Sequence, residues 1–223
     1  RLKDKFGGKV TMLCMGPPQA EEALRKCISF GADDAILVTD RAFAGADTLA
    51  TSYALAAAIR KINSEQKVDM VFTGKQTIDG DTAQVGPGIA KRMGLQLLTY
   101  VSRIIETDLE NNTITVERRG EGGVQVLKTA LPCLITMLEH TNEMRFATLP
   151  MMIHAAAYQV RKWNKEDAGI EDLTKIGLKG SPTVVSRVFG PTPRAEKAEM
   201  LNIETSTLRD VSLNLLQSIF TRH

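Results

Sequence analysis

Apolar and polar positions along the chain follow two periods. Short apolar runs at 10–15, 35–38 and 70–73 read as buried strands. Each is followed by a helical pattern, at 21–30, 47–63 and 82–93. Gly31 stops the first of these helices, and Asp47 or Thr48 caps the second. Strands alternating with helices predict right-handed βαβ units and a parallel sheet. Beyond Gly94 the period falls to two: 101–107, 113–119 and 124–129 alternate and are joined by the turn signals Glu110-Asn111-Asn112 and Gly120-Glu121-Gly122-Gly123. These predict an antiparallel insertion, after which 134–138 returns as a buried strand. Residues 1–8 read as a helix end, with Leu2 and Phe6 four apart and Gly7 as the stop, so a strand-plus-helix unit is expected upstream and the first strand of the sheet is expected to be missing. Residues 144–157 place Leu149, Met151 and Met152 around Pro150 in an expected loop, which fits a docking surface and core packing equally well. From Trp163 the chain is polar and punctuated by Gly and Pro, as in an extended arm. Residues 208–220 then form an amphipathic pattern with Val211, Leu215, Leu216 and Ile219 on one stripe. The expected division is an α/β domain over 1–160 and an arm with a helix over 161–223.

Composition narrows the class. A net charge of +2 over 223 residues argues against an obligate nucleic-acid or polybasic membrane binder. The densest basic run, Arg161-Lys162-Trp163-Asn164-Lys165, reads as a solvated face. No apolar run has the length of a membrane span. Cys14, Cys27 and Cys133 are scattered and odd in number, which fits reduced thiols of a cytoplasmic protein. The three histidines form no ligand cluster, so no metal site is expected.

The chain is organised around 74–88, GKQTIDGDTAQVGPG, a glycine-rich crossover between a buried strand and a helix. In an open α/β sheet such crossovers hold the ligand. Asp81 or Thr82 is expected to cap the helix, leaving the amides around Thr82, Ala83 and Gln84 for an anion. Asp79 and Asp81 would repel a phosphate, so they are expected to cap backbone or bind ribose hydroxyls. Parallel strands bring the loops 15–19, 40–48 and 74–86 to one sheet edge. Together they hold the hydroxyls of Thr48, Thr51 and Thr82, the cation Arg41 and the ring of Phe43, an inventory suited to an aromatic ligand with phosphate. Phe43 also fits the core. Gly74-Lys75-Gln76-Thr77 lacks the rest of a P-loop, and no nucleophile elbow or catalytic triad stands out. No catalytic side chain is expected, so any redox chemistry would belong to a bound cofactor.

These residues resemble the beta subunit of electron transfer flavoproteins over nearly the whole chain. Gly74-Lys75-Gln76, Ile78, Asp79 and Asp81, with Gln84 and Gly86, match the family's adenine-nucleotide signature; Met15-Gly16-Pro17 matches its second nucleotide loop, and Arg145, Ala147, Thr148, Leu149 and Pro150 its partner-recognition loop. The resemblance implies a doubly wound, mainly parallel Rossmann-like sheet of the adenine nucleotide alpha hydrolase-like kind, with an antiparallel β insertion. It implies a C-terminal arm and helix packed on an alpha subunit that carries its own FAD. It also implies a pocket holding either structural AMP or a second FAD.

The stretch Arg41-Ala42-Phe43-Ala44-Gly45-Ala46-Asp47-Thr48, with Thr51, looks like the electron-bifurcating version, which binds FAD and takes a hydride from NADH. The physical reading agrees: a helix opening at Asp47 offers a second anion site, and FAD needs two where AMP needs one. The implied roles place the amides of Gly80, Asp81, Thr82, Ala83, Gln84 and Val85 and the hydroxyls of Thr48, Thr51 and Thr82 on phosphate and ribityl groups. Met15, Gly16, Gly74, Lys75, Gln76 and Thr77 lie near adenosine, and Arg41, Phe43, Gly45 and Ala46 face the isoalloxazine. Implied partners are the alpha subunit, ferredoxin or flavodoxin, and an acyl-CoA dehydrogenase-type flavoenzyme docked on Arg145, Ala147, Thr148, Leu149, Pro150, Met151 and Met152. One departure stands out: His154-Ala155-Ala156-Ala157 replaces the lysine-rich tract of many members. The alternatives are a non-bifurcating carrier with AMP in the same pocket, and a nucleotide-binding module without redox function, similar in fold to universal-stress proteins.

Overall fold

The computed structural model of the protein describes residues 1–190 and 207–220. They separate into one compact unit over Arg1–Val185 and a second over Ser186–His223. The compact unit reaches past the expected boundary at residue 160 because Arg161–Trp163 is a strand of its sheet and Trp163 is buried.

In chain order the first unit contains α1 (Leu2–Phe6), β1 (Thr11–Met15), α2 (Glu21–Ser29), β2 (Asp34–Val38), α3 (Thr48–Glu65), β3 (Met70–Gly74) and α4 (Val85–Met93). It continues with β4 (Gln96–Asp108), β5 (Thr113–Gly120), β6 (Gly123–Ala130), β7 (Cys133–Met137), α5 (Leu149–Ala157) and β8 (Arg161–Trp163). The described part of the second unit contains α6 (Leu208–Phe220), on which Leu213, Leu215, Leu216 and Ile219 are exposed.

The expected mixed α/β architecture is present, divided between two sheets. The first, β1-β2-β8, is wholly parallel. Its middle strand is buried on both faces, which explains the unbroken apolar run Ala35-Ile36-Leu37-Val38. Successive side chains point to opposite faces. Ala35 and Leu37 therefore pack with Leu24 and Ile28 of α2, while Ile36 and Val38 pack with Ala54 and Ala58 of α3. The second sheet has the order β3-β7-β4-β5-β6. β7 lies parallel between β3 and the start of β4, and β4, β5 and β6 form the antiparallel insertion. β4 begins at Gln96, earlier than the alternation alone indicated, because its first residues pair with β7. α3 joins the two sheets: its Ala56 and Ile59 pack with Ile89 of α4 and Leu134 of β7, and Leu13 of β1 touches both clusters.

Three local expectations are corrected. The helix after the glycine-rich loop begins at Val85, not at residue 82, and neither Asp81 nor Thr82 caps it. Residues 149–157 are a helix rather than a loop, because Pro150 stands in the first turn, where no amide donor is needed. The basic run is only partly a solvated face: Lys162 and Asn164 are exposed, but Trp163 is buried, and Arg161 pairs with Asp34 at 2.5 Å and Glu65 at 3.2 Å, Lys162 with Glu21 at 2.7 Å, and Lys165 with Asp40 at 3.4 Å.

Asp34 anchors the far end of the first sheet. It accepts from the Tyr158 hydroxyl at 2.8 Å and from Arg161, tying the residue after α5 and the start of β8 to β2. Burial would raise its carboxyl, but these hydrogen bonds outweigh it and hold the group below its ordinary value. A carboxyl depressed in the folded state stabilises above its unfolded value of about 3.9 and loses that contribution as pH falls through the folded value. Asp34→Asn should therefore lower the unfolding free energy at neutral pH by about 1–3 kcal/mol. Urea melts across pH should show the deficit shrinking below about pH 4.

Candidate functional site

The three loops expected to converge are linked edge to edge. At the end of the first sheet, the amide of Gly16 donates to Val38 at 3.1 Å, which sets the loop after β1 beside the loop after β2. That second loop runs through a tight turn, Arg41–Phe43, capped by Asp40, which accepts from the Ala42 amide at 2.9 Å. It then enters α3, whose first hydroxyl, on Thr48, donates to the side-chain carbonyl of Gln84 at 2.8 Å. This bond joins the start of α3 to the glycine-rich loop.

Two close approaches set the depth of that junction. A methyl group on Gly88 would lie 2.7 Å from both Cβ and Oγ of Ser52, so α3 and α4 touch there only because α4 carries a glycine. One on Gly86 would lie 2.8 Å from the Thr73 hydroxyl and from the Thr136 methyl. The Thr73 hydroxyl is buried without a hydrogen-bond partner directly beneath the N-terminus of α4.

The glycine-rich loop is exposed and locally strained. Asp81 and Ala83 adopt φ of 49° and 54°, a left-handed conformation that L-residues avoid at a cost of roughly 1 kcal/mol or more each. The loop is braced from within. The Asp81 amide donates to the Thr77 carbonyl at 3.0 Å, Gln76 donates to the Asp81 carboxylate, and the Lys75 amide donates to Met137 at 2.9 Å. Asp79 is held below the ordinary carboxyl range by the Thr77 hydroxyl and by backbone amides, the capping role expected of it. Gln84 precedes α4 without capping it, so the first amides of that helix have no side-chain partner.

The second helix differs from expectation. Asp47 accepts from the amides of Leu49 at 2.9 Å and Ala50 at 3.0 Å. Its other oxygen accepts from the hydroxyl of Thr183 at 2.9 Å and the amide of Thr183 at 3.2 Å. The amides that would have formed a second anion site are therefore already bonded to a carboxylate. The first turn of α3 also carries the hydroxyls of Thr48 and Thr51, the former donating to Gln84.

Phe43 lies in the core with Ile36, Val38 and Trp163, and Met15 packs against the same cluster, so neither ring nor thioether stands free on the loop. Arg41 is exposed, and Gly45 lies under Leu178, where a Cβ would come within 2.6 Å. Leu178, Ser181 and Thr183 cover Gly45, Ala46 and Asp47, with Ser181 accepting from the Asp47 amide at 2.8 Å. These residues, and Thr73 beneath α4, escaped the sequence reading. Ser181-Pro182 carried only a punctuation signal, and a threonine ending a strand carries none.

On the expected docking segment, Arg145 is held by Asp4 of α1. Leu149, Pro150 and Met152 are exposed, Met151 is half-buried, and Phe146, which the reading passed over, is 96% exposed. Among the described residues, no group of acidic, histidine and cysteine side chains could hold a metal ion, and no helix is long and apolar enough to cross a membrane. The three thiols are free, and burial pushes the Cys133 thiol up to about 11.

The junction makes a direct prediction. Gly88→Ala should force α3 and α4 apart and cost about 1–3 kcal/mol. Chemical denaturation checks it; an unchanged midpoint would mean that the Ser52 contact does not limit the approach of the helices.

The chain matches the model of the electron transfer flavoprotein domain over residues 1–168. It is 63% identical over 223 residues to protein FixA of Azotobacter vinelandii, covering all of this chain and 79% of that protein. It is 59% identical over 221 residues to protein FixA of Sinorhizobium fredii, covering 99% and 78%. It is 43% identical over 186 residues to the electron transfer flavoprotein subunit beta of Clostridium acetobutylicum, covering 83% and 69%. With a glycine-rich crossover loop on a mixed α/β frame and these matches across its length, the chain belongs to the electron transfer flavoprotein family, as a beta subunit.

Proposed function

We propose that the junction of α3, α4 and the glycine-rich loop binds FAD, and that the subunit serves a bifurcating electron transfer flavoprotein. The two sheets on this reading belong to one doubly wound, Rossmann-like frame. The observation that carries the proposal is the hydrogen bond from Thr48 to Gln84, which sets two helix starts and an exposed, strained loop around one place.

The residues present fit the group. The open amides of α4 and those of 80–85 suit one phosphate, and the Thr51 hydroxyl suits the phosphate next to it, joined by Thr48 when its single proton turns from Gln84 to the ligand. The partnerless Thr73 hydroxyl adds a buried donor below them. Lys75, Gln76 and Thr77 border the adenosine end, and Arg41 the flavin end. FAD, when bound, supplies the redox chemistry, dividing electron pairs from NADH between the alpha-subunit FAD and ferredoxin or flavodoxin. The chain itself binds, orients and positions. The exposed Phe146, Leu149 and Met152 supply an apolar face for an acyl-CoA dehydrogenase-type flavoenzyme, and the exposed Leu213, Leu215, Leu216 and Ile219 of α6, in the C-terminal arm and helix, one for the alpha subunit.

A second reading keeps AMP in the same place. It is favoured by Asp47, which occupies the amides of α3 and leaves one open helix start, as a single phosphate requires. The readings separate on acid extraction of the co-purified heterodimer followed by chromatography. FAD in excess of the alpha-subunit complement supports the first, and AMP in its place overturns it. Thr48→Val and Gln84→Ala should each weaken retention of the bound nucleotide about tenfold, roughly the worth of one hydrogen bond.

A further inference from the structure

A cavity of about 480 Å³ opens between α3, the last turn of α4 and the 174–180 segment. Its walls include Leu49, Tyr53 and Arg60 of α3, Arg92 of α4, and Lys175 and Lys179. Neither the glycine-rich loop nor Thr48, Thr51 or Thr73 lines it, and Leu49 is its one wall in the first turn of α3.

Among the described residues, four cations and no carboxylate line this space. Among the described residues, the one ion pair that reaches any of the four joins Lys175 to Asp172 at 3.1 Å. Asp172 is further committed to the amide and hydroxyl of Thr174, at 2.9 and 2.5 Å. Arg92 donates to the Leu49 carbonyl at 3.1 Å, yet its Nε is buried without a partner. Arg60 donates to the Arg92 carbonyl at 2.5 Å and forms no ion pair among the described residues.

The walls are built in advance. The Asp172 amide donates to the Tyr53 hydroxyl at 3.2 Å, and Ser181 closes the turn by donating to Gly177 at 2.7 Å. Gly180 presses on the backbone of Lys175 so closely that a Cβ would sit 2.1 Å from its carbonyl carbon. A rigid concave wall carrying one sign of charge concentrates counter-ions, and a preformed site spends little on ordering. The volume lies in the range of small-ligand sites, roughly 300–1,000 Å³. Guanidinium and ammonium groups together match phosphate and carboxylate oxygens.

We propose that this cavity is a binding site for a small polyanion, a phosphorylated or polycarboxylate metabolite, distinct from the nucleotide site. The convergence of Arg60, Arg92, Lys175 and Lys179 carries the assignment.

The test is isothermal titration of inorganic pyrophosphate, and separately of citrate, into the intact heterodimer with its nucleotide sites filled. One site per heterodimer is expected, weakening as sodium chloride rises from about 20 to about 200 mM. Lys179→Gln, whose side chain forms no ion pair among the described residues, should weaken binding about tenfold without moving the melting temperature. Arg92→Gln should weaken it further. Tighter pyrophosphate than citrate assigns a phosphorylated ligand, and the reverse a polycarboxylate. Absence of binding to the heterodimer, or equal binding by wild type and both variants, overturns the proposal.

Discussion

Asp47 is the constraint on which the arrangement turns. Its carboxylate closes the first turn of α3 through Leu49 and Ala50 and reaches across to Thr183, while its own amide donates to Ser181. One residue thus fixes where α3 begins and fastens 177–183 over the loop that precedes it. Burial works against the charge, but the amides of Ala50 and Leu49 and both donors of Thr183 keep the carboxyl below its ordinary range. Because α3 bridges both sheets, the position of its first turn decides where Thr48 can meet Gln84.

The two helix starts at the site are therefore not equivalent. α4 opens without a cap, over a buried hydroxyl and against a strained loop, whereas α3 opens with its amides satisfied and only hydroxyls to offer. An uncapped, positively polarised start favours an anion, and a capped one confers rigidity. The division leaves α4 with free amides and α3 with a fixed first turn. The segment 173–183 is fastened to the domain by the buried Ile176 and by Gly177 and Gly180, which approach backbone where no side chain would fit.

Much of the frame was legible because buried parallel strands and amphipathic helices leave strong periodicities. The run 35–38 became a strand buried on both faces, and Asp47 capped the helix it was expected to cap. The glycine-rich loop was legible as a crossover but not in its detail. Asp81 and Thr82 have good capping chemistry, yet the left-handed turns at Asp81 and Ala83 push the helix start on to Val85. The amides of α3 were misjudged for a related reason: a capping aspartate and a ligand compete for the same amides, and spacing does not say which one holds them. Arg161-Lys162-Trp163 misled because its carboxylate partners, Asp34, Glu65 and Glu21, are distant in sequence. Proline at 150 was read as a loop although the first turn of a helix accepts it.

The most direct measurement is a stoichiometric NADH titration of the intact heterodimer under anaerobic conditions, followed by flavin absorbance. If the α3 and α4 junction holds a redox FAD, two flavins per heterodimer will bleach as reductant is added. In the Gln84→Ala variant the second should be lost in proportion to cofactor content. Bleaching of a single flavin, unchanged by that substitution, would contradict the account.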